Sequence, residues 1–67
     1  MRELDCRGMR CPMPIIKTAQ ALKSLEVGGK LLLKSNDPAT QPDLIAWSRM
    51  TGHQVEVLGN DEFLITN

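Results

Sequence analysis

The chain has 67 residues, enough for one domain spanning 1–67, and a chain this short buries only about 60% of the surface its unfolded form exposes, which excludes a large multi-pocket enzyme. Eight basic residues offset eight acidic ones, so no net positive field draws the chain to phosphates, and nucleic acid is disfavoured as its main ligand. With 42% hydrophobic and 24% charged residues, the composition is that of a globular domain rather than a disordered segment.

No apolar run approaches the roughly 18 residues that a membrane span needs. The start, Met1-Arg2-Glu3-Leu4-Asp5, is charged where a signal peptide would be apolar, so a cytoplasmic protein with no membrane partner is expected. Two cysteines, Cys6 and Cys11, are too few for a secreted disulfide framework; in a reducing compartment they draw attention as chemistry.

Residues 2–6 alternate polar and apolar, with Leu4 and Cys6 on one face, and predict a short strand followed by a turn at Arg7-Gly8-Met9-Arg10. From Pro12 to Leu25 the period changes. Ile15, Ile16, Ala19, Leu22 and Leu25 fall on one half of a helical wheel, with Met13, Lys17, Gln20, Ala21 and Ser24 opposite, and Gly28-Gly29 turns the chain beyond its end. Residues 30–35 form a brief apolar run suited to an interior strand. Asp37-Pro38 then breaks the chain, with Asp37 placed to cap a helix beginning just beyond it.

This second helix is predicted from Pro42 or Asp43 to Thr51, with Leu44, Trp47, Ser48 and Thr51 on its inner stripe and Gly52 as a left-handed cap. Residues 54–58 and 62–66 alternate around a short Gly59-Asn60-Asp61 loop and read as a hairpin, with Phe63 and Ile65 on one face. The order βαβαββ predicts an α+β two-layer sandwich, two helices on one face of a four-stranded mixed sheet.

The informative segment is Cys11-Pro12-Met13-Pro14, where the first strand gives way to the first helix. Proline suits the first helical position, which makes Cys11 the expected N-cap, with Pro14 tolerated in the first turn. Both prolines lack an N–H, so the amides of Met13 and Ile15 are the donors expected to face the Cys11 sulfur. A thiolate there meets the positive end of the helix dipole, and Arg7 and Arg10 add local positive charge, so its pKa should fall below the free value of about 8.5. Cys11 is expected to be exposed, ionised and nucleophilic.

A hydrolase would also need a general base and its orienting group, yet the chain has one histidine, His53, well removed in sequence, and no length for a deep cleft. Chemistry that asks only for a nucleophilic sulfur and a docking partner fits better: accepting sulfane sulfur as a persulfide, or exchanging a disulfide. Such chemistry needs no cofactor beyond the transferred sulfur.

The stretch Leu4-Asp5-Cys6-Arg7-Gly8-Met9-Arg10-Cys11-Pro12-Met13-Pro14 resembles the N-terminal signature of the TusA-like (SirA-like) sulfur carriers, a Leu-Asp, a Gly, then C-P-x-P opening a helix. Gly28-Gly29, Asp37-Pro38-Ala39-Thr40, Asp43, Trp47 and Thr51-Gly52-His53 look like the same family's later landmarks, so the resemblance covers nearly the whole chain. It implies a βαβαββ sandwich whose C-P-x-P cysteine, here Cys11, carries a persulfide from a donor protein, a cysteine desulfurase or rhodanese, to an acceptor in tRNA thiolation, cofactor synthesis or sulfur oxidation. Such a sulfurtransferase acts only with its partner proteins. Cys6 departs from the commonest pattern, which often has Ala there.

The plainer readings stand beside these. Cys6 shares an inward face with Leu4 and reads as core packing, or else as a resolving thiol for Cys11. Cys6, Cys11 and His53 lack the ligand count and spacing of a zinc site, so no metal is expected. His53 reads as a helix-end residue, Trp47 as core and Asp37 as a cap. Met9 and Met13 bracket Cys11 and supply the apolar part of a docking ring, with Arg7, Arg10 and Lys17 as its polar part; scattered surface apolar residues are the alternative. Two rivals to the carrier remain: a thiol-disulfide redox protein using Cys6 and Cys11, and a small regulatory or nucleic-acid-binding module.

Overall fold

The computed structural model describes residues 2–10 and 12–67. Six elements follow in chain order: β1 (Arg2–Asp5), α1 (Met13–Lys23), β2 (Lys30–Lys34), α2 (Thr40–Thr51), β3 (Gln54–Gly59) and β4 (Glu62–Thr66). The sheet order is β1-β2-β4-β3, with β1 parallel to β2 and the other two pairings antiparallel, so the predicted mixed sheet and βαβαββ order hold.

Strand period 2 decides which side chains meet the helices. Leu31 and Leu33 of β2 lie opposite Ile65 and Phe63 of β4, and all four are buried with Cys6 against Ala21, Leu22 and Leu44 of the helices. The intervening residues face away: Leu32 and Leu64, paired in register, are half-buried, with Glu3 and Glu56 exposed at either side of them. One sheet face is therefore covered and the other open.

Helix α1 buries a different stripe from the one its apolar residues predict. Pro14, Thr18, Ala21 and Leu22 are buried, whereas Ile16 remains 42% exposed and Ala21, assigned to the outer face, points inward. The apolar count misleads because the inner stripe uses a threonine and a proline, which carry no weight in a hydrophobic pattern. Thr18 is inaccessible, and its hydroxyl has no hydrogen-bond partner. The helix ends at Lys23, earlier than predicted, because the Ser24 and Leu25 amides turn back to the carbonyls of Ala21 and Leu22 (3.2 and 3.1 Å).

Helix α2 begins at Thr40, earlier than predicted, with Pro42 in a first turn that needs no N–H from it. Asp37 does not occupy the cap, which is Ala39. Instead its carboxylate accepts the Ala39 N–H (3.1 Å) and its carbonyl the Thr40 N–H (3.0 Å), so it shapes the approach to the helix. Beneath that approach the buried hydroxyls of Ser35 and Thr40 pair at 2.7 Å. Gly52 adopts the predicted left-handed cap (φ 81°), its N–H on the Ser48 carbonyl at 2.8 Å.

The β3–β4 turn places Asn60 and Asp61 at φ 51° and 62°, the positive angles of a type I′ hairpin. Clean alternation along β3 does not hold. The register shifts between Val57 and Gly59, and the bulge leaves Val57 and Leu58 more than two-fifths exposed on the edge strand. Beyond β4, the Asn67 side-chain amide donates to the carbonyls of Leu22 and Leu25 (2.9 and 2.8 Å), closing the C-terminal end of α1.

Candidate functional site

Because β1 and β2 are parallel, the loops that follow them lie at the same end of the sheet, where open α/β sheets present their sites. The β3–β4 turn reaches the same end, since β4 starts there opposite Lys34. Between the first two loops lies a crevice of about 380 Å³ lined by Gly8, Met9, Arg10, Asn36, Asp37 and Pro38.

Backbone and side-chain bonds lock these loops together. The Cys6 N–H reaches the Lys34 carbonyl (2.7 Å), one step beyond the strand, and the Cys6 carbonyl then receives the Met9 N–H (3.1 Å) across a tight turn. Gly8 occupies the turn's third position with φ 85°, a conformation that favours glycine. Its N–H donates to the Asn36 side-chain oxygen at 2.9 Å, pinning the first loop to the second, and Ser35 N–H donates to the Asp61 carbonyl (2.9 Å), pinning the second to the hairpin. Nothing in a single sequence singles out Asn36; its role depends on the loops meeting in space.

Cys11 lies outside the described residues, so its predicted exposure and ionisation are not addressed by the structure. Its neighbours give the local geometry. Pro12, rather than Cys11, holds the N-cap position (φ −95°, ψ 13°): its carbonyl accepts the first helical bond, from the Ile16 N–H at 3.1 Å. Met13 and Pro14 are thus the first two helical residues, and Cys11 precedes the cap by one.

The amides expected to stand free are engaged. Met13 N–H donates to the Arg10 carbonyl at 2.9 Å and Ile15 N–H to the Pro12 carbonyl at 3.1 Å. The chain turns tightly enough before the helix that its own carbonyls take both donors, so direct amide contacts cannot be assigned to the sulfur.

Arg7 also differs from expectation. Its backbone N–H, Nε and Nη2 all donate to the Asp5 carboxylate (3.0, 3.0 and 2.9 Å), so its charge is neutralised by a bidentate ion pair rather than offered to the loop. The pair holds the Asp5 carboxyl well below its usual range, to about 2, chiefly through the guanidinium hydrogen bonds. Arg10 is exposed on the crevice rim and Lys17 half-exposed on α1. Met9 is half-buried, packing against the core while it also lines the crevice, whereas Met13 is 41% exposed.

Cys6 is fully buried and reduced, and burial pushes its thiol pKa up, with Asp5 adding to the rise and Lys17 opposing it. This is the environment of a packing residue. His53 follows α2 at the far end of the molecule, stacked on Trp47 with ring centroids 5.1 Å apart and planes 18° apart, so it cannot serve the loop as a base. Trp47 is half-buried against the core. No described helix is long and apolar enough to cross a membrane, and the described residues contain no group of three or more potential metal ligands.

Against known families, the model described as Sulfurtransferase TusA matches residues 2–66. The chain belongs to the TusA sulfurtransferase family. Among TusA-like relatives, YrkF of Bacillus subtilis (strain 168), provisionally named a sulfur carrier protein, is 43% identical over 58 residues, 87% of this chain and 30% of YrkF. YrkI of the same organism, named likewise, is 42% identical over 52 residues, 78% of this chain and 69% of YrkI. The chain therefore spans less than a third of one relative and about two thirds of the other. A crystal structure of a SirA-like protein from Desulfitobacterium hafniense superposes with a TM-score of 0.79 at 29% identity, covering 98% of this chain and 93% of that one. The TusA fold thus accounts for the whole two-layer arrangement.

Proposed function

We propose that this protein is a sulfur carrier which holds sulfane sulfur as a persulfide on Cys11 and passes it between partner proteins. The observation that carries the reading is the TusA match over residues 2–66, a span that includes Cys11. Pro12-Met13-Pro14, which follow Cys11 in the chain, sit where the β1–α1 loop meets the helix, at the pole where three loops are tied together. The provisional naming of YrkF and YrkI as sulfur carriers points the same way.

In the loading step the Cys11 thiolate attacks the terminal sulfur of a donor persulfide. The donor S–S bond breaks, the donor cysteine leaves as thiolate, and Cys11 becomes the persulfide without net oxidation. An acceptor thiolate then attacks the outer sulfur, the S–S bond to Cys11 breaks, Cys11 leaves as thiolate and the acceptor becomes the persulfide. With Met13 and Ile15 amides engaged, the anion is stabilised by the field at the start of α1 and by Arg10, not by dedicated donors. The donor is a cysteine desulfurase or rhodanese, and the acceptor belongs to tRNA thiolation, cofactor synthesis or sulfur oxidation, in the reducing cytoplasm where Cys11 stays a thiol.

Mass spectrometry of the intact protein after incubation with polysulfide, on wild type, Cys6→Ser and Cys11→Ser, tests the reading. Uptake of one sulfur that only Cys11→Ser abolishes is expected. Loss in both variants would instead favour a Cys6–Cys11 redox couple, and no uptake by wild type would refute the carrier.

A further inference from the structure

A groove runs between α1 and α2 from the start of α1 downward. Its upper part, about 290 Å³, is lined by Pro12, Ile15, Asp43, Ala46, Trp47 and Met50. A further hollow of about 250 Å³, sharing Trp47, continues past Ala19 and Leu22 to Lys23. On the upper wall of the groove Met50 is 85% exposed, an apolar side chain that burial of the core does not use.

Although the chain is neutral overall, its charges are sorted by layer. On the helix side Arg10, Lys23 and Arg49 are exposed, Lys17 is half-exposed and Arg2 donates to the Ser24 hydroxyl at the end of α1, while of the acids there Asp37 and Asp43 are half-buried and Glu26 is exposed. On the sheet side Glu3, Glu56 and Asp61 are exposed with half-buried Glu62, against Lys30 and Lys34, the Asp5–Arg7 pair cancelling itself. Cations thus outnumber acids on the face that begins at Pro12, and acids outnumber cations on the opposite face. Such a polarity orients an approaching protein before contact.

We infer that the groove between α1 and α2 receives a protruding apolar side chain of a partner protein whose surrounding surface is acidic. The inference rests on the carrier reading, since a group handed between proteins requires a docked partner. The groove supplies the anchor, and the outward cations supply the complement to acids around it.

The test uses the whole chain and three peptides of equal length, each carrying a pyridyl-activated disulfide. One sets Leu among Glu residues, one sets Leu among Lys residues, and one sets Gly among Glu residues. Attack by the Cys11 thiolate forms the mixed disulfide and releases thiopyridone, whose absorbance gives the rate. Each rate is divided by the same protein's rate with a small uncharged disulfide.

At low salt the acidic Leu peptide should react about tenfold faster than the basic one, the gap closing as salt rises, and should outrun the acidic Gly peptide. Lys23→Glu combined with Arg49→Glu should abolish the charge preference, and Met50→Ser should abolish the preference for Leu. Equal or reversed preference in wild type, or preferences that survive these variants, would overturn the inference. So would concentration-dependent self-association in sedimentation, which would make the acidic sheet face of a second copy the occupant. Persulfide uptake without peptide preference removes the docking face alone; preference without uptake removes the carrier alone.

Discussion

The Asn67 amide donates at 2.9 and 2.8 Å to the carbonyls of Leu22, which also takes the Leu25 N–H, and Leu25, and at 3.4 Å to that of Glu26, so Asn67→Ala deletes these bonds while keeping the backbone pairing of Asn67 with Gly28 and Gly29. Each neutral hydrogen bond contributes about 0.5–1.5 kcal/mol net, and because water reaches part of this site the loss should be about 1–2 kcal/mol. A domain of this size has roughly 3–10 kcal/mol of stability in all, and each kcal/mol corresponds to about 4–8 °C in Tm. Urea unfolding followed by far-UV circular dichroism should show a lower midpoint with an unchanged slope. Asn67→Asp should be worse than Ala, because it sets an acceptor and a negative charge against the negative end of the helix. An Ala variant within about 0.3 kcal/mol of wild type, or an Asp variant above it, would refute the capping argument.

Thr18→Val keeps the shape of the side chain and removes a buried hydroxyl with no partner, so it should raise unfolding free energy by about 1 kcal/mol; a loss would mean the hydroxyl is satisfied in solution. For Asp5, whose folded pKa of about 2 lies below its ordinary 3.8, the pair with Arg7 contributes stability above pH 3.8 that is lost as pH falls through about 2. Denaturation curves of wild type and Arg7→Gln should therefore converge across that acid range, and a gap that persists below it would count against the pairing. In Cys11→Ser, iodoacetamide should leave inaccessible Cys6 unlabelled in the native protein and label it once denaturant is added; rapid native labelling would contradict its burial.

The element order, the mixed sheet, the Gly52 cap and the hairpin turn were legible because each rests on local chemistry: period 2, a positive φ, a pair of turn residues. Ile16 and Thr18 show where that reading stops. Which stripe of α1 faces the sheet depends on how the helix docks, and a threonine and a proline can fill the interface as well as an isoleucine. The loop residues failed for a related reason. Arg7 looked like free positive charge until Asp5, two positions earlier, proved to hold it at 2.9 Å, and Met13 and Ile15 looked like free donors until the chain's own carbonyls took them. Composition reveals a charge or a donor but not its partner. The groove beside Met50 was invisible for the same reason, since its two walls lie some thirty residues apart in the chain.

Arg2 and Asn67 stand together at the bottom edge of the sheet, beside Leu31 and Gly29, whereas Gly8, Asn36 and Asp61 cluster at its top. The strands separate the two ends by on the order of 15 Å. Polypeptide grafted before Arg2 or after Asn67 would leave from the side facing away from Pro12, so an affinity tag or a tethered module could be added at either position without shadowing the mouth of α1.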